Sequence, residues 1–173
     1  MLLAIHLTMT GRVDRASDLT SSHQPHPIRI EARLFDGAMA EAGRVDAIIR
    51  PDGWTAPDPD RANRCGVREI SPLPILTDFI DAAVHVVCHD AEETDWALRV
   101  CRRTRREGPE WIKPRHILID TAADAALLMG RDGGPAPTLA EATAALLGAP
   151  SSGLNGVLAL FQHDSVQALR RAA

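Results

Sequence analysis

The chain has no tyrosine, three phenylalanines and three tryptophans, so aromatic residues fill only 3% of its 173 positions. Lysine is nearly absent: of the 19 basic residues, 18 are arginines and one is Lys113. Positive charge is not in excess, because the formal net charge is −4. That excludes a global basic field able to recruit nucleic acid without a local site. Cysteine is scarce and odd in number, with Cys65, Cys88 and Cys101 far apart and no C-x-x-C spacing. Neither a disulfide framework nor a zinc knuckle is predicted, and the three thiols read as small buried hydrophobes. No apolar run approaches the roughly 18 residues of a membrane helix. Met1–Leu7 is too short for a secretory signal and lacks a basic start. These absences predict a cytoplasmic protein with no membrane partner.

What is present is the composition of a folded domain, with 45% hydrophobic and 24% charged residues. No repeat divides the chain and no linker is long enough to split it, so residues 1–173 are expected to form a single domain. The first half reads as strands. Leu2–Leu7 is a short apolar run. Ile28–Phe35 alternates, with Ile28, Ile30, Ala32 and Leu34 on one face. Arg44–Arg50 continues the pattern, and Asp36-Gly37 with nearby Gly43 punctuates the two runs as an antiparallel pair. Asp52-Gly53 and the prolines at 51, 57 and 59 mark a loop.

The second half alternates. Ser71-Pro72 signals a helix to about Ala83 that buries Leu73, Leu76, Phe79 and Ile80, followed by a strand at Val84–Cys88. Asp90 with Glu93 forms a capping-box pattern for a second helix. Ile117–Ile119 is a strand, and Thr121 reads as the cap of the next helix, with Gly130 near its end. Thr138 with Glu141 opens another helix that Gly148 closes, and a last segment ends in a short basic helix near Arg170 and Arg171. Three meandering strands followed by alternating helices and strands predict an α/β fold, a mixed sheet flanked by helices.

That order, with the residues at its landmarks, resembles the DnaQ-like 3'-5' exonucleases, the DEDD class with the RNase H-like fold. The family's opening D-x-E-T-T-G falls on His6-Leu7-Thr8-Met9-Thr10-Gly11, and its second strand on Ile28-Arg29-Ile30-Glu31-Ala32-Arg33-Leu34. Cys65-Gly66-Val67-Arg68 mirrors a later H-G-I-T. The H-N-x-x-F-D motif falls on His89-Asp90-Ala91-Glu92-Glu93-Thr94, a helix-opening D-T pair on Asp120-Thr121, and the closing H-x-x-x-x-D on His163 to Ala168.

The resemblance implies four carboxylates holding two divalent metals, with a histidine as general base. Carried over by position, the four acids become His6, Thr8, Thr94 and Ala168, and only the base, His163, remains. A base without metals leaves the phosphodiester unpolarised. The implied protein is a catalytically degenerate exonuclease-like domain, a nucleic-acid-binding or scaffolding module rather than an enzyme, with no cofactor expected. The implied partners are single-stranded nucleic acid, a protein, or a second copy of the chain.

A second reading is an active nuclease that uses Mg or Mn through relocated ligands, drawn from Asp90, Asp95 and Asp164 with His163. A third is a purely structural subunit of a larger assembly. Asp90, Glu92 and Glu93 are accounted for by capping and the helix dipole. Asp95, one residue beyond Thr94, is rotated about 100° from it on a helix. His6, His89 and His163 lie on segments that meet in this fold, but no H-x-x-H spacing supports a metal site among them. Arg99, Arg102, Arg103, Arg105 and Arg106 form the densest basic cluster, either a phosphate-tracking patch or cations complementing a helix C-terminus. Trp54, Trp96 and Trp111 could stack bases, though in so aromatic-poor a chain packing is the expectation.

Overall fold

The computed structural model describes residues 1–101, 111–131 and 133–172. Three strands come first: β1 (Leu2–Met9), β2 (Pro27–Phe35) and β3 (Glu41–Ile48). Helices α1 (Pro59–Cys65) and α2 (Leu73–Ala82) lead to β4 (His85–Cys88), α3 (Ala91–Cys101) and β5 (Ile117–Asp120). Four helices close the chain: α4 (Thr121–Leu128), α5 (Leu139–Leu147), α6 (Gly153–Gln162) and α7 (Asp164–Ala172). The sheet order is β3-β2-β1-β4-β5. The first three strands pair antiparallel, while β1–β4 and β4–β5 pair parallel. The mixed sheet flanked by helices is therefore the fold that the element order predicts.

Each face of the sheet carries its own core. Leu3 and Ile5 of β1 pack with Leu73, Leu76 and Ile80 of α2 and with Leu98 of α3. Ala4, with Val87 and Ile119, packs against Leu139 and Ala142 of α5 and against Leu154, Val157 and Leu158 of α6. Burying such side chains contributes about 25 cal/mol per Å² of apolar surface. The alternation along β1 thus assigns Ala4 and His6 to the α5–α6 face, because successive strand residues point to opposite faces.

Several local expectations change. The segment 51–65 is not all loop, because Asp58 caps α1 through the Arg61 N–H and Pro59 occupies its first turn. Only Ala62 of that helix is buried, so apolar periodicity had nothing to report. Cys65, its last residue, is exposed rather than buried. Gly43 is not a turn residue but lies within β3, where a Cβ would come 2.7 Å from the Phe79 ring. The N-cap of α2 is Pro72, with no side-chain cap, and the N-cap of α4 is Asp120 rather than Thr121. The closing segment breaks at His163 into two helices. The Thr138–Glu141 capping box and the left-handed Gly148 are both present as read.

Candidate functional site

The strand register sets polar residues side by side at one end of the sheet. His6 of β1 is opposite Glu31 of β2, Thr8 opposite Arg29, and Glu31 opposite Asp46 of β3. This end holds the carboxyl ends of the three parallel strands, where open α/β sheets generally place their ligands. Burial pushes the His6 imidazole down to about 4, and the nearby His89 and Arg29 push the same way. His6 is therefore neutral at physiological pH.

His89 is tied at both nitrogens. Nε2 lies 2.8 Å from the Pro137 carbonyl and Nδ1 3.1 Å from the Thr121 hydroxyl. A carbonyl only accepts, so Nε2 carries the proton and burial favours the neutral ring; Nδ1 faces the Thr121 hydroxyl, which itself donates to the Cys88 carbonyl at 3.2 Å. Nε2 ties the segment before α5, and Nδ1 the start of α4, to the residue that follows β4. Neither is left to bind a cation.

The carboxylates nearby are spent in the same way. Asp120 accepts from the Asp90 and Ala91 N–H groups at 3.0 and 2.9 Å and from those of Ala122 and Ala123 at 2.9 and 3.4 Å. One side chain thus joins the starts of α3 and α4. Asp90, with a left-handed φ of 63°, caps α3 through the Glu93 N–H at 3.0 Å. Glu93 does not complete the capping box. It accepts from the Val13 N–H at 3.0 Å and pairs with Arg15, which also pairs with Glu92. The acids at the start of α3 therefore hold the 10–26 loop, a role beyond the helix dipole. Buried Glu31 accepts from the Leu154 N–H at 3.3 Å and lies 3.3 Å from Arg29. It serves α6, whose N-cap Ser152 makes no side-chain cap bond.

The positions aligned with the family's acids differ in exposure. His6 is half-buried and Thr8 exposed on β1, Thr94 is buried beside the Cys88 thiol, and Ala168 is exposed on α7. His163 ends α6, and its Nδ1 accepts from the Ser165 N–H at 3.3 Å. Asp95 turns away as its rotation predicts, accepting from the Trp111 and Ile112 N–H groups at 3.1 and 3.2 Å and pairing with Arg99 at 2.7 Å. Asp164 is exposed in the first turn of α7. Among the described residues, no three His, Cys, Asp or Glu side chains converge where a metal ion could sit. A threonine, an alanine and a histidine with lowered basicity are poor ligands for hard divalent ions, which prefer carboxylate oxygens. The residues present do not fit the two-metal centre that the resemblance implies.

The predicted basic cluster is only partly visible. Arg99 is bound to Asp95 and stacks over Trp96 at 4.9 Å, so it is occupied within the molecule. Arg102, Arg103, Arg105 and Arg106 lie outside the described residues. Sequence reasoning missed the joints made by Glu31 and Asp120. Their signal, a lone acid in an apolar strand and an acid before a helix, was present but shared with ordinary strand and capping roles.

No protein-family model matches the chain, and no curated protein matches it. Solved structures do. Escherichia coli exonuclease I in complex with a dT13 oligonucleotide superposes with a TM-score of 0.63 at 12% identity, over 99% of this chain and 40% of that one. The complex of exonuclease I with SSB-Ct gives 0.61 at 14% identity, over 98% of this chain and 43% of that one. The Saccharomyces cerevisiae Pan2 pseudoubiquitin hydrolase–RNA exonuclease module with AAGGAA RNA gives 0.54 at 13%, over 99% and 31%. The chain thus spans about two fifths of the exonuclease I chains it matches. Among the described residues, no helix is long and apolar enough to cross a membrane. Sheet order, strand directions and these superpositions agree: this chain has the RNase H-like fold of the DnaQ-like exonucleases that its motif order resembles.

Proposed function

We propose that this chain is an exonuclease-like domain that binds single-stranded nucleic acid without hydrolysing it. One observation carries the reading: the polar groups at the sheet end where the fold places its chemistry are engaged in holding the protein together. His89, Asp120 and Glu31 each spend their polar atoms on backbone groups of neighbouring segments. Two-metal hydrolysis needs carboxylates free to face a pair of ions about 3.5–4 Å apart. His6, Thr8, Thr94 and Ala168 cannot supply them, and His163 alone has no polarised phosphodiester on which to act as a base.

The ligand class is supported by the neighbours, whose complexes hold dT13 and AAGGAA RNA. In this reading the fold is retained for its strand-binding surface and the catalytic centre is given over to structure. The test uses an end-labelled single-stranded DNA, then an RNA, at low salt with Mn²⁺ present, because phosphate contacts weaken steeply with salt. The expected anisotropy rises, saturates and holds, and the oligonucleotide stays full length on a denaturing gel. Shortening of the oligonucleotide that His163→Ala abolishes would overturn the loss of catalysis. A flat trace at low salt would overturn nucleic acid as the ligand.

A further inference from the structure

Most described arginines are paired with a carboxylate, as with Arg15, Arg29, Arg44, Arg115 and Arg170. Arg50, Arg61, Arg64 and Arg68 have no such partner, and all four fall within one short stretch. Arg50 and Arg68 are brought together by the bridge that joins Ile49 to Val67. The Arg50 N–H donates to the Val67 carbonyl at 2.8 Å, and Arg50 Nη2 donates to the Gly66 carbonyl at 2.9 Å. Gly66 permits this approach, since a Cβ there would meet the Ala62 carbonyl at 2.2 Å and Arg50 N at 2.9 Å.

Both guanidinium-bearing residues line a groove of about 850 Å³. Thr20, Ser21 and Ser22 also line it. His26 lines it too, with its ring stacked on Trp54 at 5.1 Å and 13° between planes. The groove opens at the same end of the sheet as the polar row. It lies on the other face of β1, since Cys101, another of its lining residues, packs with Leu3 and Ile5.

We infer that this groove seats a nucleotide of a single-stranded nucleic acid, with its phosphates on Arg50 and Arg68 and its base against the His26–Trp54 stack. The inference rests on the nucleic-acid reading above and adds the place of contact. The volume falls in the range of small-ligand sites. Stacked aromatic rings beside exposed arginines are what a single strand meets without sequence readout. Asp52 and Glu69 also line the groove. They oppose a bare anion; Glu69 is engaged within the molecule, its Oε2 4.0 Å from His26 Nδ1, while the Asp52 carboxylate can accept hydrogen bonds from base amino groups and sugar hydroxyls. The mixed lining therefore favours a nucleotide over inorganic phosphate.

The test is anisotropy of a labelled single-stranded oligonucleotide against wild type, Arg68→Glu, His26→Ala and Arg171→Glu. Arg171 is exposed and also lacks a carboxylate partner, so it controls for charge alone. Unfolding curves check that each variant is folded. Arg68→Glu is expected to weaken binding about tenfold and to flatten its dependence on log salt by about 0.7, the loss of one phosphate contact. His26→Ala is expected to weaken it severalfold, and Arg171→Glu to leave it within about twofold. Inorganic phosphate is expected not to compete at millimolar concentration. If wild type binds and Arg68→Glu binds equally well, or if Arg171→Glu weakens binding as much, the groove assignment is overturned and the nucleic-acid reading stands. Competition by millimolar phosphate would overturn the nucleotide as the class of ligand. If wild type binds no oligonucleotide, both readings fall.

Discussion

Two regions at one end of the sheet use their polar side chains in opposite ways. In the row that holds Glu31, His89 and Asp120, polar atoms are taken up by backbone groups, a neighbouring hydroxyl and an ion pair. Around Arg50 and Arg68, the backbone is held by a strand bridge and the charged groups face an open groove. A group that already satisfies a buried N–H has little left for a ligand, because breaking that bond leaves the N–H unsatisfied. Density of polar residues is therefore a poor guide to a binding surface. What decides is whether the fold itself consumes the hydrogen bonds.

The largest expected effect comes from cutting the inward region. Asp120→Ala removes one cap and strands the N–H groups of Asp90 and Ala91, for a loss of about 3 kcal/mol in urea unfolding. An unchanged midpoint would mean that the row is not a structural joint, and the comparison would fail. Next is Gly153→Ala. Gly153 has φ +66°, and a Cβ there would meet a Glu31 carboxylate oxygen at 2.7 Å. A loss of about 1–2 kcal/mol is expected, from backbone strain and disturbance of the Glu31 bond to α6. A variant as stable as wild type would remove Glu31 from the joint.

A third expected effect is a pH slope. The folded His6 sits at about 4 against 6.5 in the unfolded chain, so between these values the unfolded state binds more protons. Stability therefore rises with pH through that window; it is fully present above about 6.5 and lost progressively as pH falls toward 4. His6→Gln is expected to flatten the slope when unfolding is measured from pH 7 to pH 4. A slope unaltered by that change would mean that other groups, His89 first among them, carry it.

Much of the architecture was legible because it is local. The alternation of Ile28–Phe35, the box of Thr138 with Glu141 and the stop at Gly148 each depend on residues within a few positions of one another. Where local signals are ambiguous, the structure departs from them by one residue or one element. Asp120 took the cap expected of Thr121, and α1 went unseen because its one buried residue left no period to read. The strand and helix order nevertheless gives a fold that superposes on exonuclease I.

The sequence by itself determined that the positions aligned with the family's acids carry no carboxylate, since a histidine, a threonine or an alanine has none wherever it lies. It also determined the succession of strands and helices, because side-chain period and capping act over short distances. Tertiary structure alone decided what the remaining polar groups do. Glu31 reaches Leu154 across 123 positions, His89 reaches Pro137 across 48, and Val13 finds Glu93 across 80. The same packing left Arg68 without an acid. No sequence window holds both members of such distant pairs. Whether a side chain is spent or available is fixed only when the chain closes on itself and each buried hydrogen-bonding group has to find its partner.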